Sequence, residues 1–181
     1  MFKHLSIFIF FIFCSNTYAS NKDKILEKLQ NTENLKFNFE QNINGKIENG
    51  NCTIEYPKKI NCNYEKNNKI LVSNGKSLVI KTKVSFYRYP LSQTPLELIL
   101  DKKFLINKIT NLNEKTLGKT FINFEIEEKE NKINIFFDNK TFDLVGWQTK
   151  DIYQNINVTY LSSIQKNQQI DKDLFELPSQ N

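Results

Sequence analysis

The stretch KILVSNGKSLVI, Lys69 to Ile80, places two apolar runs on either side of Asn74-Gly75. Asn-Gly tolerates the positive φ angles that a two-residue hairpin turn demands, so ILVS and SLVI are predicted antiparallel neighbours. The same reading extends outward. Leu35, Phe37 and Phe39 alternate with Lys36, Asn38 and Glu40, the period-two pattern of a half-buried strand. Further strands are predicted around Cys52 to Tyr56, Ile60 to Glu65 and Ser77 to Tyr89. Beyond them Ile122, Phe124 and Ile126 share one face, as do Ile133, Ile135 and Phe137, and strands over Phe142 to Lys150 and Asn155 to Ile164 complete the series. Strands this close, with few helices between them, imply an antiparallel meander and not alternating β-α-β units. A long meander with one apolar face must close into a barrel, pair with a second sheet or be covered by helices.

Two segments are candidate covers. NKDKILEKLQ, Asn21 to Gln30, puts Ile25, Leu26 and Leu29 on one face of an amphipathic helix. YPLSQTPLELILD, Tyr89 to Asp101, reads as a short helix with Thr94 as N-cap and Pro95 at the first helical position. Glu97 and Asp101 mark its wet side, which leaves Leu96, Ile99 and Leu100 to face the sheet and the direction of Leu98 open. Phe104 to Ile109 continues as a helical or irregular excursion.

Composition excludes several function classes. Met1 to Ala19, with a basic start, a short apolar core and Thr17-Tyr18-Ala19 before the cut, is expected to be a cleaved signal peptide. Residues 20–181 then form a single exported domain. Phe13 before Cys14 argues against a lipoprotein signal. The formal net charge of +5 is mild and Arg88 is the sole arginine, so nucleic-acid recognition, which leans on arginine forks, is not expected. His4 is the only histidine and leaves with the signal. That excludes Ser-His-Asp and Cys-His catalysis and histidine-bound metal from the mature chain. The five glycines never cluster into a phosphate loop. Glu125 and Glu127 point to the polar strand face, as a solvated strand end and not a catalytic pair. No enzyme activity, cofactor or metal is expected, and a Ser-Lys dyad at Ser73 or Ser77 with Lys76 lacks any visible activator.

Cys52 and Cys62 remain. If Tyr56-Pro57-Lys58 forms the turn of a hairpin, the two cysteines lie directly opposite each other with Ile54 facing Ile60 between them. In an exported protein this is a disulfide candidate, and two free buried thiols are the alternative.

Several segments together resemble the LolA family of periplasmic outer-membrane lipoprotein carriers. KILVSNGKSLVI resembles its strand-turn-strand signature, and YPLSQTPLELIL is similar to the Pro-Leu-x-x-Thr-Pro-Leu stretch of its alphaproteobacterial members. The order also matches: signal, opening helix, FNFEQ strand, IEYP hairpin and closing DKDLFELP. The resemblance implies a mainly β fold, an incomplete and strongly curved antiparallel β-barrel whose lid helices cover an apolar cavity. It implies a monomeric carrier that shields lipoprotein acyl chains, receiving cargo from an inner-membrane ABC transporter and passing it to an outer-membrane receptor. On that reading Phe37, Phe39, Ile54, Ile60, Leu78, Ile80, Phe124 and Ile135 line the cavity, and Leu96, Ile99 and Leu100 form the lid. The family often latches its lid with an arginine before the hairpin proline. Tyr56 stands there in this sequence, so the Tyr56 hydroxyl, Lys58 or Lys59 takes that part, or the lid is held differently. A lipid-binding envelope sensor or sorting module of the same fold, without a transfer role, is the alternative function.

Overall fold

The computed structural model describes residues 19–118, 120–128, 131–150 and 155–180. The predicted signal peptide, apart from Ala19, lies outside the described residues. Helix α1, Asn21–Gln30, starts at a capping box. The Ser20 hydroxyl accepts from the Asp23 N–H at 3.2 Å, and the Asp23 carboxylate accepts from the Ser20 N–H at 3.0 Å. Ile25 and Leu29, one turn apart, form its buried stripe.

Strands β1 (Asn34–Ile43), β2 (Lys46–Glu55), β3 (Lys59–Tyr64), β4 (Ile70–Asn74), β5 (Ser77–Lys81) and β6 (Phe86–Pro90) form one half of the sheet. Strands β7 (Lys115–Leu117), β8 (Phe121–Glu128), β9 (Asn131–Asp138), β10 (Leu144–Lys150) and β11 (Ile156–Lys166) form the other. The order is β6-β5-β4-β3-β2-β1-β11-β10-β9-β8-β7, antiparallel throughout. The two halves meet where β1 pairs with β11, and β6 and β7 are left as edges that do not pair with each other. The sheet is therefore curved but unclosed, an incomplete barrel.

The helices fill its concave side. Between β6 and β7 the chain runs through a 3₁₀ turn at Leu91–Gln93, helix α2 (Leu96–Leu100) and helix α3 (Lys102–Asn111). Ile25 and Leu29 of α1 join Leu105 and Ile109 of α3, and all four are buried in one core with Ile122, Phe124, Ile126, Ile133, Ile135 and Phe137 of β8 and β9.

Three local readings change. The stretch Ser77 to Tyr89 is two strands and not one, because a tight turn intervenes. Thr82 N donates to Ser85 O at 2.8 Å, and the Thr82 hydroxyl accepts from Val84 N and Ser85 N. Thr94 does not cap α2; its hydroxyl donates back to Leu91 O at 2.9 Å and closes the 3₁₀ turn. Phe104 to Ile109 lies within a full ten-residue helix, capped by Asp101, whose Oδ1 accepts from Phe104 N at 3.0 Å.

Gly50 of β2 sits where no side chain fits. A Cβ there would lie 2.1 Å from Asn63 O and 2.8 Å from the Phe39 ring. The missing side chain lets Phe39 lie across the strand and meet Tyr64 edge-on at 4.9 Å between ring centroids. On the convex face the closing segment is held by Asn61 Nδ2, which donates to Leu174 O at 2.7 Å, and by Lys81 Nζ, which donates to Ser179 O at 2.8 Å. Those anchors flank Val72 and Val79, which are buried although they point away from the barrel interior.

Candidate lipid site and its latch

Helix α2 spans the half of the barrel that α1 and α3 do not fill. Beneath it lies a cavity of about 190 Å³. Leu96 and Ile99 of α2, with Thr94 and Pro95 before it, form the roof. Phe39, Ile60, Leu71 and Leu78 form the apolar wall, and Trp147 enters from β10. Polar groups from β1, β10 and β11, among them Gln41, Thr149, Asn157 and Thr159, occupy the opposite wall. Tyr64 links the two: its half-buried phenol donates to Gln41 Oε1 at 3.2 Å, and desolvation, with the Glu48 charge adding, pushes its pKa up so that it stays protonated.

The residues named from sequence divide accordingly. Phe39, Ile60 and Leu78 are brought together on the cavity wall. Phe37, Ile54, Phe124 and Ile135 are buried in the surrounding packed core and do not line it. Phe124 and Ile135 are fully buried in the cluster that also holds Leu105 and Ile109 of α3, which leaves them no open space to line. Ile80 is half-buried beyond the cavity, beside the edge strand β6 at Tyr87. Leu96 and Ile99 face the cavity, Leu100 is buried in the core next to it, and Leu98 looks outward into a groove shared with Phe104. Sequence reasoning missed Tyr64, Leu71 and Trp147. Continuing the alternation from Ile60 through Cys62 would have reached Tyr64. Trp147 had no such signal, because a bulge between Leu144 and Gly146 shifts the face of β10.

Cys52 and Cys62 also line the cavity, in register with Ile54 opposite Ile60, and their sulfurs are bonded. The bond closes a loop with a sequence separation of 10. By loop closure alone it contributes about 3 kcal/mol. Replacing both cysteines by serine should lower the melting temperature by roughly 6–12 °C. Calorimetry of the two forms checks this, and an unchanged transition would assign the pair no stabilising part.

Among the three latch candidates only Lys58 reaches the lid. Its N–H donates to Leu100 O at 2.9 Å. Its ammonium meets Glu97 Oε1 at 2.9 Å and Asp101 Oδ2 at 3.2 Å. These hydrogen bonds, to Glu97 first and Asp101 second, hold the Lys58 pKa above its ordinary value. Ser73 steadies the turn from behind by donating its hydroxyl to Lys58 O at 3.0 Å. Tyr56 points into the core with its hydroxyl buried and unpartnered, which pushes its pKa up. Lys59 pairs with Glu55 at 2.8 Å and lies over the Phe175 ring, away from α2. The wet side of α2 predicted from Glu97 and Asp101 is thus the side that Lys58 grips. Asp101 serves twice, capping α3 with one oxygen and meeting Lys58 with the other.

The site is thus a largely apolar cavity roofed by a short helix that Lys58 ties to the β2–β3 turn. The family described as outer membrane lipoprotein carrier protein LolA matches residues 30–178. The chain belongs to the LolA family. Membership points to binding of lipid or lipoprotein, and LolA is a periplasmic family. Among solved structures, a LolA-superfamily protein from Nitrosomonas europaea aligns at TM-score 0.46 and 8% identity over 88% of this chain and 99% of its own. An uncharacterised conserved protein from Thermus thermophilus aligns at 0.52 and 7% identity over 89% and 96%. MucB of Pseudomonas aeruginosa, solved in complex with MucA, aligns at 0.39 and 9% identity over 88% and 62%. No curated protein matches the chain in sequence. Among the described residues of this LolA-family protein, no helix is long and apolar enough to cross a membrane.

Replacing Lys58 with methionine removes both ion pairs and keeps most of the side-chain stem. We expect the open state to become more populated, so that an apolar fluorescent probe binds about tenfold more tightly, the affinity no longer being taxed by a closed lid. Unchanged probe affinity in a titration would show that Lys58 does not restrain α2.

Proposed function

We propose that this LolA-family protein is a periplasmic carrier that shields lipoprotein acyl chains and moves lipoproteins from the inner to the outer membrane. The observation that carries the reading is the latched apolar cavity beneath α2. Burying a CH₂ is worth about 0.8 kcal/mol, so a palmitoyl-length chain gains roughly 12 kcal/mol gross. A carrier that kept all of that gain would never release its cargo. The closed lid offsets part of it, because the cavity must be opened before a chain can enter. At about 190 Å³ the closed cavity is below the roughly 300–1,000 Å³ of ordinary ligand pockets, so loading needs α2 to move.

On this reading the partners are acylated lipoproteins, an inner-membrane ABC transporter that loads the carrier and an outer-membrane receptor that unloads it. The protein works as a monomer without covalent chemistry or a cofactor. Depletion is the test: lipoproteins should accumulate at the inner membrane. Normal sorting together with retained lipid binding would instead favour a sensor or sorting module that hands nothing on.

A further inference from the structure

The polar wall of the cavity is mostly satisfied from within. Tyr64 donates to Gln41 Oε1, and Gln41 Nε2 in turn donates to Thr159 Oγ1 at 3.2 Å. Asn157 differs. It lies on β11 between Ile43 of β1 and Thr149 of β10, and its Oδ1 is buried without a hydrogen-bond partner. Two other buried side-chain atoms share that condition among the described residues, Tyr56 Oη and Asn123 Oδ1. Neither residue lines this cavity. An acceptor that no protein group satisfies is paired by a ligand that brings a donor and left unpaired by one that does not, which favours the first.

We propose that Asn157 is a specificity-determining residue of the acyl site, its Oδ1 accepting the N–H of an acyl amide such as that of an N-acylated cysteine. The inference rests on the carrier reading above and adds the direction in which the ligand lies. The acyl chain runs beneath α2 against Ile60, Leu71 and Leu78, where its partners are apolar. The amide then reaches the opposite wall, at β11. An ester has only acceptors and leaves Oδ1 unpaired. The site therefore separates acyl amides from acyl esters of equal length, independently of how much hydrocarbon each buries.

The test is competition of N-methylpalmitamide and methyl palmitate against a fluorescent fatty acid on the full-length periplasmic protein. The two probes share a chain and differ by N–H against O. The amide should bind about tenfold more tightly. Asn157→Leu, a change of small volume, should remove the difference by weakening the amide alone. Equal binding of the two probes by the unaltered protein overturns the proposal and leaves the carrier reading standing. So does a preference that survives Asn157→Leu. Binding of neither probe overturns both. Ceramide offers the same N–H on a different lipid; if it competes as well as a triacylated lipopeptide, the assignment to an N-acylated cysteine falls.

Discussion

Ile99→Glu is expected to abolish co-purification of acylated cargo, whereas Leu98→Glu, one residue earlier, should leave it nearly intact. Ile99 is fully buried and lies on the cavity roof, while Leu98 is half-buried on the outer side of α2. A carboxylate at Ile99 must either enter the apolar chamber, at a penalty of several kcal/mol, or hold α2 away from it. Either way the acyl site is lost, and affinity should fall a hundredfold or more. At Leu98 the new charge stays in water, and an effect within about threefold is expected. Ile99 belongs to the same buried cluster as the α1, α3, β8 and β9 residues and Leu98 packs against that cluster, so circular dichroism of each variant must show a folded protein before its cargo is compared. Native mass spectrometry of the purified variants reads the result directly. Undiminished cargo on Ile99→Glu would show that α2 is not part of the acyl site.

Gly50→Ala is expected to be the most damaging single methyl group in the sheet. Gly50 has no need of positive φ; what it supplies is space. Its Cβ would meet a backbone oxygen of β3, at a distance that no side-chain rotation relieves, and the Phe39 ring from the other side. Separating β2 from β3 locally and displacing Phe39 should cost about 3 kcal/mol or more, a fall in melting temperature of roughly 6–12 °C. The damage would also reach the site, because Phe39 and Tyr64 form its wall. A transition within about 2 °C of the unaltered protein would show that the strands part there without penalty.

The strands were legible because alternation is a local property. Leu35, Phe37 and Phe39 report their common face without knowing what covers it, and Asn74-Gly75 reports a turn without knowing which sheet it joins. The cysteine hairpin was legible for the same reason, since one turn fixes the register of every pair behind it. What covers each part of the sheet was not legible. Phe124 and Ile135 carry the same pattern as Phe39 and Ile60, yet the first two are packed away in the core and the last two line a cavity. That difference depends on where a helix distant in sequence comes to rest. Lys58 illustrates the same limit. Its place beside the hairpin proline made it one of three latch candidates, and only Glu97 and Asp101, arriving from the other side of a crossing, set it apart from Tyr56 and Lys59. Val72 and Val79 were hidden by alternation itself, since both read as outward residues until the C-terminal segment folds over them.

The unpaired edges of the sheet bear on capacity. Strands β6 and β7 are the two margins of the curved sheet and share no hydrogen bonds. Pulling them apart therefore breaks no rung of the ladder, whereas widening a closed barrel would require rungs to break or slip. The chamber should accordingly widen by bending of the sheet, without loss of ladder hydrogen bonds. If the carrier reading holds, spreading of the margins should let the protein take ligands with different numbers of chains. Amide exchange should stay slow along β1 and β11, the seam farthest from both margins, as the load increases. Accelerated exchange at that seam on loading would show that the sheet yields in its middle instead.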